Sequence, residues 1–208
     1  MNHIAKNRET YDILASEYEQ KAEIRDMYNK MLIEKVFVEH LEKWKKILDV
    51  GCSVWVDIKA LTDSWYIVEW TDISQEMINF SEARNPWVKH TCGNFLDIGF
   101  GKYDAIFSQA FIHLFPEDEV VKILEKMKSI LNENWIAYFT TTKSEIPLEW
   151  WYEKKDYEGL HKRYRRHWTK PELTEMLERF FSVKKYHELE DPYGKVFMIY
   201  IVVNDKCN

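Results

Sequence analysis

The chain has 208 residues, 46% of them hydrophobic and 31% charged, with a formal net charge of −6. That suits one domain with a sizeable core and excludes a disordered or collagen-like chain. The acidic balance argues against a general nucleic-acid binder, and no apolar run is long enough for a transmembrane helix.

The N-terminal stretch MNHIAKNRETYDILASEYEQ has no apolar segment of the kind a signal peptide needs. Three cysteines, Cys52, Cys92 and Cys207, are widely spaced without a CxxC pair. Neither a disulfide framework nor a zinc site is expected, and the expected location is cytoplasmic.

Residues 8–42 read as an amphipathic helical cap, in which Met31, Leu32, Val36, Val38 and Leu41 roughly keep helical spacing. KILDVGC follows as a buried parallel strand that ends at Gly51. DIKALTDS (57–64) reads as a short helix, and YIVEWTD (66–72) as a second strand ending in Asp72. Ser74 then caps the helix SQEMINFSEARN. VKHTCGN (88–94) and YDAIFSQA (103–110) are strands three and four. Pro116, Glu117, Asp118 and Glu119 open a helix through Leu131, with acids at the end the helix dipole favours. WIAYFTTT (135–142) is strand five, and a polar, aromatic stretch occupies 143–168. Thr169 and Glu172 form a capping box for TKPELTEMLERF. FSVKKYHELE and VFMIYIVVND close the chain as two strands joined through Asp191, Pro192, Tyr193 and Gly194.

Strands alternating with helices predict an α/β fold: a mostly parallel seven-stranded sheet, Rossmann-like, with helices on both faces. The last two strands lack a helix between them and should form an antiparallel hairpin at one edge. One domain spanning 1–208 is expected.

Sheets of this kind bind ligands at the carboxyl ends of their strands, near the switch in strand order. Gly51 alone reads equally well as an ordinary strand-end glycine, and Asp72 alone as a helix cap. Together they are a tight turn after strand one and, 21 residues on, a carboxylate at the tip of strand two. That pairing suits an adenosine ligand, the carboxylate bonding ribose hydroxyls. A dehydrogenase is the weaker reading, because GCSVWV is not GxGxxG.

At these residues the chain resembles class I S-adenosylmethionine-dependent methyltransferases of the small-molecule type. The resemblance is carried by ILDVGCSVWVD (47–57), YIVEWTDIS (66–74), CGNFLDI (92–98), KYDAIFSQAFIHLF (102–115) and LNENWIAYFTT (131–141), in that order and spacing. TYDILASEY (10–18) resembles the tyrosine-bearing segment that folds over the cofactor. The resemblance implies S-adenosylmethionine as cofactor. Gly51, Cys52 and Ser53 would shape the turn, and Asp72 would bind ribose with Ile73 against adenine. Asn94 and Phe95 would flank the adenine, and Gln109 and Ala110 would lie beside the transferred methyl. Tyr11 and Tyr18 either cover the site or merely share a helix face. His113 is either a proton acceptor for the methyl acceptor or a packed loop histidine. No metal is implied.

Six glycines accompany nine tryptophans. The usual glycine share is about 7%, so the two together fill the place glycine commonly takes alone. The resemblance implies glycine where Trp44, Trp55, Trp70 and Trp135 stand, and Trp65 and Trp87 occupy turn contexts that favour it. Either these are ordinary outward-facing tryptophans, or they are UGA codons for glycine read as tryptophan; UGG codons at these positions exclude the second reading. Trp55, taken literally, sits where backbone should approach the cofactor and would occlude it.

Aromatic residues mixed with Lys162, Arg163, Arg165 and Arg166 make 143–168 the expected substrate-side lid. A small-molecule O or N acceptor is expected, with no membrane or nucleic-acid partner and a monomer or homodimer. The alternatives are a non-catalytic protein of the same fold and an RNA methyltransferase acting through the basic cluster.

Overall fold

The computed structural model describes residues 2–54, 61–154, 161–191 and 193–205. Nine strands and five α-helices are set out below from the described residues. Strands β1 (Lys46–Val50), β2 (Ile67–Asp72), β3 (Lys89–Cys92), β4 (Tyr103–Gln109) and β5 (Leu131–Thr142) join β8 (Ser182–Glu190) and β9 (Val196–Val203) in one sheet of seven. Its order is β3-β2-β1-β4-β5-β9-β8. β1 to β5 run parallel, while β9 pairs antiparallel with both β5 and β8. The strand order reverses between β1 and β4, which places the ligand crevice at their carboxyl ends.

Each central strand is apolar on both sides, because helices cover both faces. Ile47, Ala105, Phe107, Tyr138 and Ile201 face one core with helices α1 (His3–Gln20), α2 (Ala22–Leu32) and α3 (Gln75–Arg84). Their sequence neighbours Leu48, Ile106, Ala137, Phe139 and Tyr200 face the other, under α4 (Glu117–Ile130) and α5 (Lys170–Glu178). A slip of one residue in any of these strands would exchange the two sets, so the period of two fixes the register.

The expected caps are present. Ser74 Oγ accepts from Met77 N at 3.2 Å, and Thr169 and Glu172 close a reciprocal capping box. The N-terminal cap begins earlier than expected. Asn2 Oδ1 accepts from the N–H groups of Ile4 and Ala5, so helix starts at His3 rather than near residue 8. It also ends differently, through a π turn (Ile33–Phe37) and a 3₁₀ turn (Val38–His40). β5 begins at Leu131, four residues before the expected start. Of the expected helix at 57–64, residues 57–60 lie outside the described residues; Leu61–Asp63 are helical.

The stretch 143–168, to which the sequence assigns no element, has a fold of its own. It holds a separate two-stranded antiparallel hairpin, β6 (Leu148–Lys154) and β7 (His161–His167), paired Leu148 to His167 and Trp151 to Tyr164. β7 packs against α1: Thr10 Oγ1 donates to Lys162 O at 2.7 Å, and Tyr164 N donates to Asn7 Oδ1 at 2.8 Å. α1 is also held to the sheet side, since Asp12 Oδ1 accepts from Ser74 Oγ at 2.6 Å. Helix and hairpin thereby form one cover over the carboxyl ends of the strands. Among the described residues, no helix is long and apolar enough to cross a membrane.

Candidate functional site

A cavity of about 680 Å³ lies beneath that cover, and Gly51 and Asp72 open into it together. Four of its wall residues have positive φ: Gly51 (φ +76°), Ser53 (φ +57°), Gly93 (φ +153°) and Ala110 (φ +52°). At Gly51 a Cβ would come within 2.7 Å of the Phe111 ring, so this turn requires glycine twice over, for its φ and for space. The N–H groups of Gly51 and Cys52 both donate to Thr71 O, which fixes the turn to the end of β2.

Asp72 closes the same turn from the other side. Its Oδ2 accepts from Ser53 N and its Oδ1 from Ser74 N, each at 2.9 Å. Burial pushes the Asp72 pKa up, while the N–H bonds from Ser74 and Ser53 act against that rise. A carboxylate has about four acceptor positions. Two N–H donors therefore leave capacity for a pair of ribose hydroxyls.

The other residues expected to bind the cofactor, and His113, also line this cavity. Tyr11 and Tyr18 come from α1, and Cys52 and Ser53 from the first turn. Ile73, Asn94 and Phe95 follow β2 and β3; Gln109, Ala110 and His113 follow β4. Asn94 holds its own turn: its Nδ2 donates to Asp97 and its Oδ1 accepts from Leu96 N at 3.3 Å. Phe95 is largely core, stacked on Phe100 with centroids 5.3 Å apart, and only its margin reaches the cavity. Gln109 Nε2 donates to Asn29 Oδ1 at 2.8 Å, which ties the end of β4 to α2.

His113 is buried, with Nδ1 3.3 Å from Thr141 Oγ1. Burial, then the positive charges of Arg165 and Arg163, holds its pKa well below the ordinary histidine value. The ring is therefore neutral and keeps one hydrogen-bond acceptor nitrogen.

Sequence reasoning missed how the cover is locked. Arg163 is 4% exposed, and its Nη1 donates to Tyr11 OH at 2.8 Å and Tyr18 OH at 3.3 Å. The basic cluster is otherwise engaged rather than presented as a patch. Arg166 pairs with Glu117, Glu149 and Glu172, and Lys162 pairs with Glu153. Tyr28, Asn29 and Lys195 also line the cavity without any motif to announce them.

The tryptophans divide. Trp44 (φ +67°) and Trp65 (φ +70°) are exposed and left-handed, as glycine positions would be. Trp70 lies within β2, as the sequence places it, but is fully buried against His90 rather than facing outward, and does not line the cavity. Beside Trp135 it is Asn134 that takes the left-handed conformation. Trp87 is exposed with ordinary φ. Trp55 lies outside the described residues.

A seven-stranded sheet with this order, an antiparallel final pair and a ligand cavity at the β1/β4 reversal defines a Rossmann-like methyltransferase fold. Residues 47–134 match the family model described as a methyltransferase domain. The chain thus has the fold of the class I S-adenosylmethionine-dependent methyltransferases, whose cofactor is S-adenosylmethionine, and its residues 47–134 are similar to a methyltransferase domain.

Solved structures agree in fold at low identity. A SAM-dependent methyltransferase from Methanosarcina mazei superposes with TM-score 0.72 at 17% identity, covering 83% of this chain and 98% of that one. The 1,6-didemethyltoxoflavin-N1-methyltransferase of Burkholderia thailandensis, solved with its substrate and S-adenosylhomocysteine, gives TM-score 0.71 at 17% identity, covering 93% and 88%. The [4+2]-cyclase SpnF gives TM-score 0.68 at 12% identity, covering 88% and 82%. No curated protein matches the sequence significantly.

Proposed function

We propose that this protein binds S-adenosylmethionine and transfers its methyl group to an O or N atom of a small molecule. The observation that carries the reading is the single cavity that joins the Gly51–Asp72 turn to Gln109 and His113. The cyclase with the same fold shows why the fold alone is insufficient and the site must carry the argument.

The residues present fit the cofactor. Asp72 has acceptor capacity for the ribose, and Gly51 leaves the backbone approachable where any Cβ would clash. Ile73, Asn94 and the margin of Phe95 form the adenine end, and Gln109 and Ala110 the methyl end. When bound, S-adenosylmethionine supplies a methyl group activated by a sulfonium, which leaves by in-line displacement.

The chain then has to position and dehydrate. Holding a nucleophile roughly 3–3.5 Å from the reacting carbon accounts for much of such a rate enhancement. Gln109, anchored through Asn29, and the Arg163-locked cover serve that end, the cover also by excluding water. His113, kept neutral, accepts a hydrogen bond from the acceptor hydroxyl or amine and so orients it. The engagement of Arg166 and Lys162 with glutamates supports a small molecule over RNA. Calorimetric titration with S-adenosylhomocysteine tests the reading: saturable one-site binding is expected, and absence of heat would favour an occluded, non-catalytic protein.

A further inference from the structure

The loop between β3 and β4, residues 93–102, supplies the adenine end of the proposed site and has neither strand nor helix of its own. Its Gly93, Asn94 and Phe95 line the cavity. Asn94 closes the first turn of the loop through Asp97 and Leu96. Further on, Gly99 and Gly101 have open space where a Cβ would stand, so close packing does not stiffen the backbone there. What fixes this part of the loop comes from another element.

Lys126 reaches it from α4. Its Nζ donates to Leu96 O at 2.8 Å and to Ile98 O at 2.6 Å, one carbonyl on either side of Asp97. The same ammonium lies 5.2 Å from the Phe95 ring centre and 5.3 Å from that of Phe100, and these two rings are stacked on each other. Phe95 in turn meets Phe111 edge-on at 6.1 Å. Phe111 is the ring that leaves no room for a Cβ at Gly51. Contacts therefore run from α4 through the adenine loop to the turn after β1. The clamp consists of hydrogen bonds and ring faces and needs no unbalanced charge. Asp97 opposes the fall that burial imposes on the Lys126 pKa. Lys126 itself does not line the cavity.

Resting on the cofactor reading, we propose that Lys126 is a positioning residue that holds Asn94 and Phe95 in one arrangement toward the adenine and so sets the selectivity of the site for that base. A loop held in place cannot re-pair with a base whose donors and acceptors differ, and a loose loop can. Hypoxanthine is the informative comparison, because it carries a carbonyl oxygen where adenine carries an amine.

The test titrates the full chain with S-adenosylhomocysteine and with its hypoxanthine analogue, S-inosylhomocysteine, and a thermal melt shows that each variant is folded. Lys126→Met is expected to weaken S-adenosylhomocysteine about tenfold, the scale of a hydrogen bond to a charged group. It should weaken the analogue less, so the preference for adenine narrows. Lys126→Arg still has donors for both carbonyls and should restore most of that preference. In a Phe95→Leu background the effect of Lys126→Met on affinity should shrink, since part of it acts through that ring. Amide hydrogen exchange at residues 96–98 of the free chain reads the clamp without any ligand and should quicken in Lys126→Met. A lowered melting temperature with base preference and exchange unchanged would make Lys126 a purely structural residue and overturn the proposal. Failure of S-adenosylhomocysteine to bind the unaltered chain would instead strike the cofactor reading, and exchange at 96–98 would still decide whether Lys126 holds the loop.

Discussion

The backbone N–H of Ser53 donates to Oδ2 of Asp72 at 2.9 Å, so the loop that leaves β1 and the acid at the tip of β2 form one structural unit. Replacing Asp72 with Ala removes the proposed ribose acceptor and leaves the N–H groups of Ser53 and Ser74 without their carboxylate. Hydrogen bonds to charged groups contribute about 1.5–3 kcal/mol each. Affinity for S-adenosylhomocysteine should therefore fall by about 10- to 100-fold, measured by calorimetry alongside a thermal melt that shows the variant folded. Unchanged affinity would remove Asp72 from the cofactor site.

The same carboxylate gives a pH dependence with a definite sign. Burial raises its pKa above the ordinary aspartate value, against the pull of the N–H bonds. Protonation puts an O–H where an acceptor is needed, so cofactor affinity should decline as pH falls through that raised value. Asp72→Asn should flatten the acid limb. Stability of the free protein responds oppositely at this group. A pKa higher in the folded than in the unfolded state makes a contribution that is complete below the unfolded value and is lost as pH rises through the folded one. Titrations of affinity and of melting temperature against pH should thus move in opposite directions at Asp72.

The strand and cap signals that survive into the structure are local ones. Gly51, Ser74 and the Thr169–Glu172 box each depend on a few neighbouring residues, and each is where the sequence places it. The β6–β7 hairpin was not legible because its inward face carries Arg163 and Arg165 rather than apolar residues, so no apolar alternation marks it as sheet. What holds Arg163 inward is the pair of hydroxyls of Tyr11 and Tyr18, 152 and 145 residues away. Trp70 falls in the strand where the sequence places it, paired with Asp49 and His90, but its full burial was not legible from the motif position alone.

The Arg163 lock can be measured as a coupling. Tyr11→Phe takes the 2.8 Å acceptor from a buried guanidinium and should cost about 1.5–3 kcal/mol in urea unfolding. Tyr18→Phe, losing a 3.3 Å bond, should cost less. In an Arg163→Met background the Tyr11→Phe penalty should largely vanish, because no charge remains to be orphaned. A penalty that persists in that background would mean that Tyr11 stabilises the cover by packing alone.

Trp44 and Trp65 permit a test of what their backbone demands. They lie side by side: Trp44 N donates to Trp65 O at 2.9 Å, their ring centroids are 5.5 Å apart, and both φ angles are left-handed. A Cβ in that conformation costs roughly 1–2 kcal/mol. Comparing Gly with Ala at each site isolates the term, since both substitutions delete the indole and only Ala keeps the Cβ. Glycine should be the more stable replacement by about 1 kcal/mol at positions 44 and 65, the strain relief exceeding glycine's entropic penalty. At Trp87, exposed but with ordinary φ, alanine should equal or exceed glycine. Thermal or urea unfolding of the six variants decides it. If alanine wins at 44 and 65, the case for glycine at these turns fails there, and UGA-for-glycine reading loses its structural support.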